Sequence, residues 1–173
     1  MNPSLLFFDE LDSTNDYLKA HHQTLSSATF VACGYQLKGR GQFERVWQSN
    51  KNENMLISFL IKDLPLSQLE LLKRTYYDGL IEFLSHMGLD VYLKEPNDIY
   101  IDGKKLAGIL IETLVFDAKY KYVIVGLGLN LNQTMFGDLN AISIKLVKRK
   151  EIELTEMIRT YQRDVMERLR LFL

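Results

Sequence analysis

The chain has 173 residues, 47% of them hydrophobic, with 21 basic and 22 acidic side chains and a formal charge of -1. That length allows one well-buried core and argues against two large domains, and the balanced charge excludes a generally basic nucleic-acid surface. No apolar run approaches the roughly 18 residues needed to span a bilayer, residues 1–10 turn acidic too soon for a signal peptide, and a single cysteine, Cys33, cannot form an internal disulfide. A reducing compartment, the cytoplasm, is therefore expected, with Cys33 a plain core thiol in the apolar stretch 30–33.

Residues 4–8 form a short apolar run that reads as a strand. Asp12, Ser13, Thr14 and Asn15 are helix-capping types placed just before a helical-looking segment from Tyr17 onward. Residues 29–35 are dense in β-formers, and the polar stretch 36–54 that follows has neither helical nor strand periodicity. A loop of that length inside a small domain is functional or mobile. Residues 55–61 suit a buried strand, and Leu69, Leu72, Tyr76, Leu80 and Phe83 recur at helical spacing within 66–87, a segment that Gly88 closes. Strands are then expected over 91–94, 99–101, 106–113 and 122–127, with Asp102 and Gly103 as a hairpin turn. A last helix over 153–173, capped at Thr155, carries Met157, Ile158, Tyr161, Val165 and Leu169 on its core face. Hairpins mixed with long helices suggest a mixed sheet covered by helices, α/β or α+β.

Four segments carry chemistry. Gly39, Arg40, Gly41, Gln42, Phe43, Glu44, Arg45, Val46 and Trp47 combine backbone N–H groups open to an anion, forked cationic donors and one flat aromatic face; a solvated turn anchored by a buried Trp accounts for them as well. Lys94, Glu95, Pro96, Asn97 and Asp98 place an amide and a carboxylate at a strand end, for ribose hydroxyls, for Mg²⁺, or as an ordinary turn. In the strand containing Lys105 and Gly108, simple alternation puts Lys105 with Ala107, and Gly108 with Leu106; the lysine reads as an anion contact or as part of a solvated hairpin tip. Gly126, Gly128 and Asn130 resemble a dinucleotide fingerprint only superficially, lacking the third glycine and the following helix.

Taken in order, these segments resemble the catalytic domain of biotin protein ligases. That family shows an S-T-N turn, a G-R-G-R-x-G-R-x-W loop, a K-W-P-N-D strand end, a K-x-x-G-x-L-x-E strand and a G-x-G-x-N segment, and the match here runs over about residues 6–132. The resemblance implies an α+β fold, a mixed β-sheet with helices packed on one side, shared with lipoate ligases and octanoyltransferases. It implies biotin contacts from Ser13, Thr14, Gln36, Gly39, Arg40, Lys105 and Gly108, and ATP contacts from Arg45, Trp47, Asn97, Asp98, Lys105 and Asn130. Lys105, Arg40 and Asp98 would carry the chemistry, with Asp98 the candidate Mg²⁺ ligand. Three departures stand out. Gln42 replaces the second loop arginine and Glu44 a later glycine, which implies looser closure resting on Arg40 and Arg45. Glu95 replaces a tryptophan, a charge that needs a partner or solvent. The chain is expected to be one catalytic domain over 1–173, with no N-terminal DNA-binding domain, hence no repressor role, and no C-terminal small β-barrel.

The function implied is an ATP-dependent, AMP-forming biotin–[acetyl-CoA-carboxylase] ligase. It would make biotinyl-5'-AMP from biotin and ATP with Mg²⁺, then pass biotin to a lysine of the biotin carboxyl carrier protein. A sheet edge offers a route to a homodimer. The alternatives are a lipoate or octanoate ligase or transferase of the same fold, which as an octanoyltransferase would need a nucleophilic cysteine, and a non-catalytic biotin-binding module.

Overall fold

The computed structural model describes residues 4–43 and 45–173; the departure at Glu44 lies outside the described residues. The apolar run at the N-terminus is strand β1 (Ser4–Phe8), and helix α1 (Thr14–His21) starts where Ser13 adopts an extended conformation and its hydroxyl accepts from the Asp16 N–H. Strand β2 (Thr29–Cys33) pairs with β1 in parallel. Strand β3 (Asn54–Pro65) is longer than its sequence pattern implied, because its first eight residues are buried and its far end continues to pair with β7 (Lys119–Asn130). Helix α2 (Leu69–His86) follows a 3-10 turn over Leu66–Gln68 and stops at Gly88, whose φ of +76° no β-carbon favours. Strands β4 (Tyr92–Lys94), β5 (Asp98–Ile101) and β6 (Lys104–Phe116) complete the sheet. Asp102 and Gly103, both at positive φ, make the expected turn.

The seven strands lie in the order β1-β2-β3-β7-β6-β5-β4, with every pair antiparallel except β1–β2. The α+β class and mixed sheet expected above are what the structure has. Both long helices, α2 and α4 (Leu154–Arg168), cover one face, where Ile57 and Phe59 of β3 meet Tyr76, Phe83 and Tyr161. Helix α1 departs from the one-sided layer. Its Leu18 packs with Val31, Leu60 and Ile124 on the opposite face, because a short helix with one apolar stripe covers only part of that face. The rest of that face is where the site forms.

Two further details differ from the sequence reading. The cap of α4 is Glu153, not Thr155: a carboxylate can accept from two N–H groups at once, and it takes those of Thr155 and Glu156. A five-residue helix α3 (Ile144–Lys148), capped by Ser143, is too short to leave a periodic signal.

Candidate active site

On the face opposite α2 and α4, the sheet is hollowed by glycines. Gly108 and Gly128 face each other across β6 and β7, and a β-carbon on Gly128 would stand 2.4 Å from Cε2 of Trp47, one on Gly108 2.9 Å from Cζ3. The indole therefore lies on bare backbone. At Gly126 the same absence admits Asn15, whose Oδ1 would be 2.2 Å from an added β-carbon. The cavity framed by these positions has a volume of about 420 Å³, in the range of small-molecule sites.

Its first wall is the start of α1. Gln36 Oε1 accepts from Thr14 N at 2.8 Å and from Thr14 Oγ1 at 3.1 Å, while Thr14 Oγ1 is 2.7 Å from Ser58 Oγ. Ser58 in turn donates to Asn15 Oδ1 at 2.6 Å. Ser13, Thr14, Asn15 and Gln36 all line the cavity. Ser58 and Asn15 went unassigned in the sequence, although Ser58 is the one polar residue in the apolar run 55–61 and Asn15 belongs to the capping motif.

The second wall is the glycine-arginine segment, which the sequence presented as loop. It is a small hairpin: Arg40 bridges Val46, Trp47 N donates to Gly39 O at 2.9 Å, and Gly41 N donates to Arg45 O at 2.7 Å. Arg40, Gln42, Arg45 and Trp47 face the cavity. Gly39 is not among the residues that line it. It forms the base of the hairpin, where a β-carbon would stand 2.6 Å from the Trp47 carbonyl.

The third wall is the strand end and β6. Expected alternation fails here, since Ile99 pairs with Ala107 but Tyr100 pairs with Lys105, leaving Leu106 as the extra residue of a β-bulge. The bulge turns Leu106 into the core and brings Lys105 to the side of Gly108, with Lys105 Nζ 3.2 Å from where a Gly108 β-carbon would be. Lys105 Nζ stands 2.8 Å from Asp98 Oδ1 and 5.4 Å from the centre of the Trp47 ring. Asn97 Nδ2 donates to Ile109 O at 2.7 Å and the Asn97 backbone carbonyl accepts from Ile109 N at 2.9 Å, so the residue ties the corner to β6. Asn130 Nδ2 donates to Lys105 O at 3.3 Å. Glu95, the charge in place of an aromatic, is exposed. A fourth wall, with Phe136, Leu139 and Ala141, was missed because residues 133–143 have no periodicity; backbone bonds join Lys105 to Asn140 and Ile142.

The described lining residues include Arg40, Arg45 and Lys105 and the carboxylate of Asp98; Asp98 pairs with Lys105 and Arg40 is held from behind by Asp16 and Glu112, which leaves the Arg45 charge and the Arg40 Nε to complement an anion. Trp47 Nε1 and Arg40 Nε are buried donors without a partner among the described residues. No group of three metal-ligating His, Cys, Asp or Glu side chains occurs among the described residues. A lone carboxylate already facing an ammonium does not fit a resident metal, though it fits an ion that arrives on phosphates.

Residues 7–130 match the model of the biotin/lipoate A/B protein ligase family. The chain belongs to that family. It is 33% identical over 138 residues to the bifunctional ligase/repressor BirA of Bacillus subtilis, covering 77% of this chain and 42% of that protein. Biotin–protein ligase 2 of Arabidopsis thaliana is 31% identical over 163 residues, with 86% of this chain and 49% of that one covered. The chain thus spans less than half the length of these two relatives. Among solved structures, the Aquifex aeolicus biotin protein ligase in complex with biotin and ATP superposes with a TM-score of 0.76 at 30% identity, covering 98% of this chain and 71% of that one. Family membership accounts for the order of the motifs along the chain. The walls described above are the places where those motifs meet. Among the described residues no helix is long and apolar enough to cross a membrane.

Proposed function

We propose that this chain is an ATP-dependent biotin protein ligase, forming biotinyl-5'-AMP and transferring biotin to a lysine of a biotin carboxyl carrier protein. The observation that carries the reading is the meeting of Lys105, Arg40, Asn97 and Asp98 around one glycine-floored cavity with a cationic lining. The biotin–ATP complex of the Aquifex relative supports the choice of ligands.

In this reading the biotin carboxylate attacks the α-phosphorus of ATP and pyrophosphate departs. Lys105, held by Asp98, and the guanidinium groups of Arg40 and Arg45 offset the charge that accumulates on the phosphoryl oxygens. Ser13, Thr14, Asn15 and Gln36 provide the neutral polar end suited to the ureido ring, and Gly108 keeps the channel open beside Lys105. Trp47 and Asn130 stand on the nucleotide side, with Asn97 fixing the corner. Asp98 would hold a Mg²⁺ that arrived on the phosphates, and such an ion would offset part of their charge. The carrier amine then attacks the mixed anhydride and AMP leaves; positioning and exclusion of water dominate that step. The reaction is assigned to the cytoplasm, and a second copy would pair along an exposed edge, β1 or β4.

Within the same family, an octanoyl transfer through a cysteine is disfavoured by geometry. Cys33, the chain's one cysteine, is fully buried, and burial pushes its thiol up to about 12. ATP–pyrophosphate exchange measured with biotin, lipoate and octanoate tests the assignment: biotin-dependent exchange is expected, and exchange with lipoate alone would overturn it. Tight biotin binding with neither exchange nor transfer to a carrier peptide would identify a non-catalytic binding module instead.

A further inference from the structure

We propose that Glu112 is a positioning residue: seated behind Arg40, its carboxylate latches the hairpin 39–47 to α1 and β6 and so sets where Arg40 and Trp47 stand on the cavity wall. Glu112 does not line the cavity. It faces the outer cleft that the hairpin makes with β6, two residues beyond Leu110, and its side chain is 19% exposed. Donors from three residues on two segments, the hairpin and α1, converge on it. Arg40 Nη1 lies at 3.3 Å and Nη2 at 3.1 and 3.2 Å, Lys19 Nζ at 2.5 Å and Asn15 Nδ2 at 2.8 Å. Asp16 takes the remaining side of Arg40 Nη2 at 2.6 Å.

Among the described residues of the hairpin, the backbone bonds, between Gly39 and Trp47, Gly41 and Arg45, and Gln42 and Arg45, are internal, and Phe43 is 83% exposed. Two contacts of described residues tie it to the rest of the fold, the Trp47 ring on its glycine floor and the Arg40 guanidinium on Asp16 and Glu112. Two cations, Arg40 and Lys19, balance two carboxylates, Asp16 and Glu112. Neutralising Glu112 leaves one positive charge without compensation and weakens the ionic anchor of the hairpin on β6. The effect also reaches the polar wall, because Glu112 orients Asn15, which accepts from Ser58, which meets Thr14. Arg40 thus has two working sides: its Nη atoms are held by the latch, and its buried Nε is left for the cavity.

The kinetic part of this inference rests on the ligase reading; the structural part does not. The experiment compares wild type with Glu112→Gln, Glu112→Asp, Arg40→Gln and the Glu112→Gln/Arg40→Gln double variant. Three quantities are read: tryptic cleavage after Arg45 under native conditions, Trp47 emission, and KM against kcat for biotin adenylation. Glu112→Gln is expected to speed cleavage about tenfold, the size of one charge-assisted hydrogen bond, to shift emission to the red, and to raise the biotin KM more than it lowers kcat. Glu112→Asp recovers part of each effect, and in cleavage and emission the double variant matches Arg40→Gln alone. Wild-type cleavage and emission in a folded Glu112→Gln protein, or cleavage and emission effects that simply add in the double variant, overturn the latch. Should Glu112→Gln not fold, wild type in rising salt decides, since cleavage after Arg45 must accelerate between about 0.05 and about 1 M salt; a flat profile overturns the latch. A wild-type protein that makes no adenylate sinks the ligase reading while the cleavage and emission data still judge the latch.

Discussion

Lys105 reaches the cavity because Leu106 is an extra residue in its strand, and that single insertion decides which face carries the charge. Replacing Lys105 with methionine keeps the stem and removes the ammonium that faces Asp98 and the Trp47 ring. Pyrophosphate exchange is expected to fall on the order of a hundredfold to a thousandfold, the usual loss for one preorganised charge contact in a transition state, with the circular dichroism spectrum unchanged. Gly128 tests the floor of the site by another route. An alanine there would stand 2.4 Å from the indole, so Trp47 must shift or the sheet must give. Gly128→Ala is expected to cost about 1–3 kcal/mol of stability, as overpacking does, and to shift the emission of the chain's one tryptophan; an unshifted spectrum would show that the ring does not rest there.

Among the elements, α2 and α4 are joined by a buried contact between the hydroxyls of Tyr76 and Tyr161, 2.7 Å apart in an otherwise apolar layer. Burial holds both phenols above the usual tyrosine range, so each stays neutral and one hydroxyl donates to the other. Tyr161→Phe leaves the Tyr76 hydroxyl without a partner at a cost of about 1–3 kcal/mol. Adding Tyr76→Phe is expected to recover most of that loss, because two matched apolar rings leave nothing unsatisfied. Urea midpoints of the two single variants and the double measure it, and simple additivity would contradict the pairing. The helices themselves were legible as elements: the spacing of Leu72, Tyr76, Leu80 and Phe83 and of Met157, Ile158, Tyr161 and Val165 follows from burying one helical face. The hairpin 39–47 was not, since its few bonds are made by backbone rather than by patterned side chains.

For the whole molecule, acid is the informative stress. Three carboxyls are held below the usual range: Glu82 by Arg168, Glu153 by the N–H groups of Glu156 and Thr155, and Glu112, which burial pushes up, by the larger opposing effect of Lys19, Asn15 and Arg40. Because the folded values lie below the ordinary 4.5, the unfolded chain binds more protons there, and stability falls as the pH drops. The stabilisation is present in full above the unfolded value and is lost as pH falls through the folded values. Urea midpoints are expected to hold level from pH 7 to about 5 and to decline below it, less steeply in Glu112→Gln; an equal decline in both proteins would remove Glu112 from the account.

Composition and periodicity alone determined a mixed sheet and two long amphipathic helices, because burying apolar side chains imposes a period of two or of 3.6 wherever it acts. The order of short motifs determined the family, because residues that meet a ligand leave their types in the sequence even when their partners lie far along the chain. Tertiary structure decided the rest. The bulge at Leu106, the glycine floor under Trp47, the joining of Ser58 to Thr14 and Asn15, and the convergence of Arg40, Lys19 and Asn15 on Glu112 all depend on distances between segments tens of residues apart. No local pattern encodes such distances; they exist only once β3, β6 and β7 lie side by side and α1 closes over them.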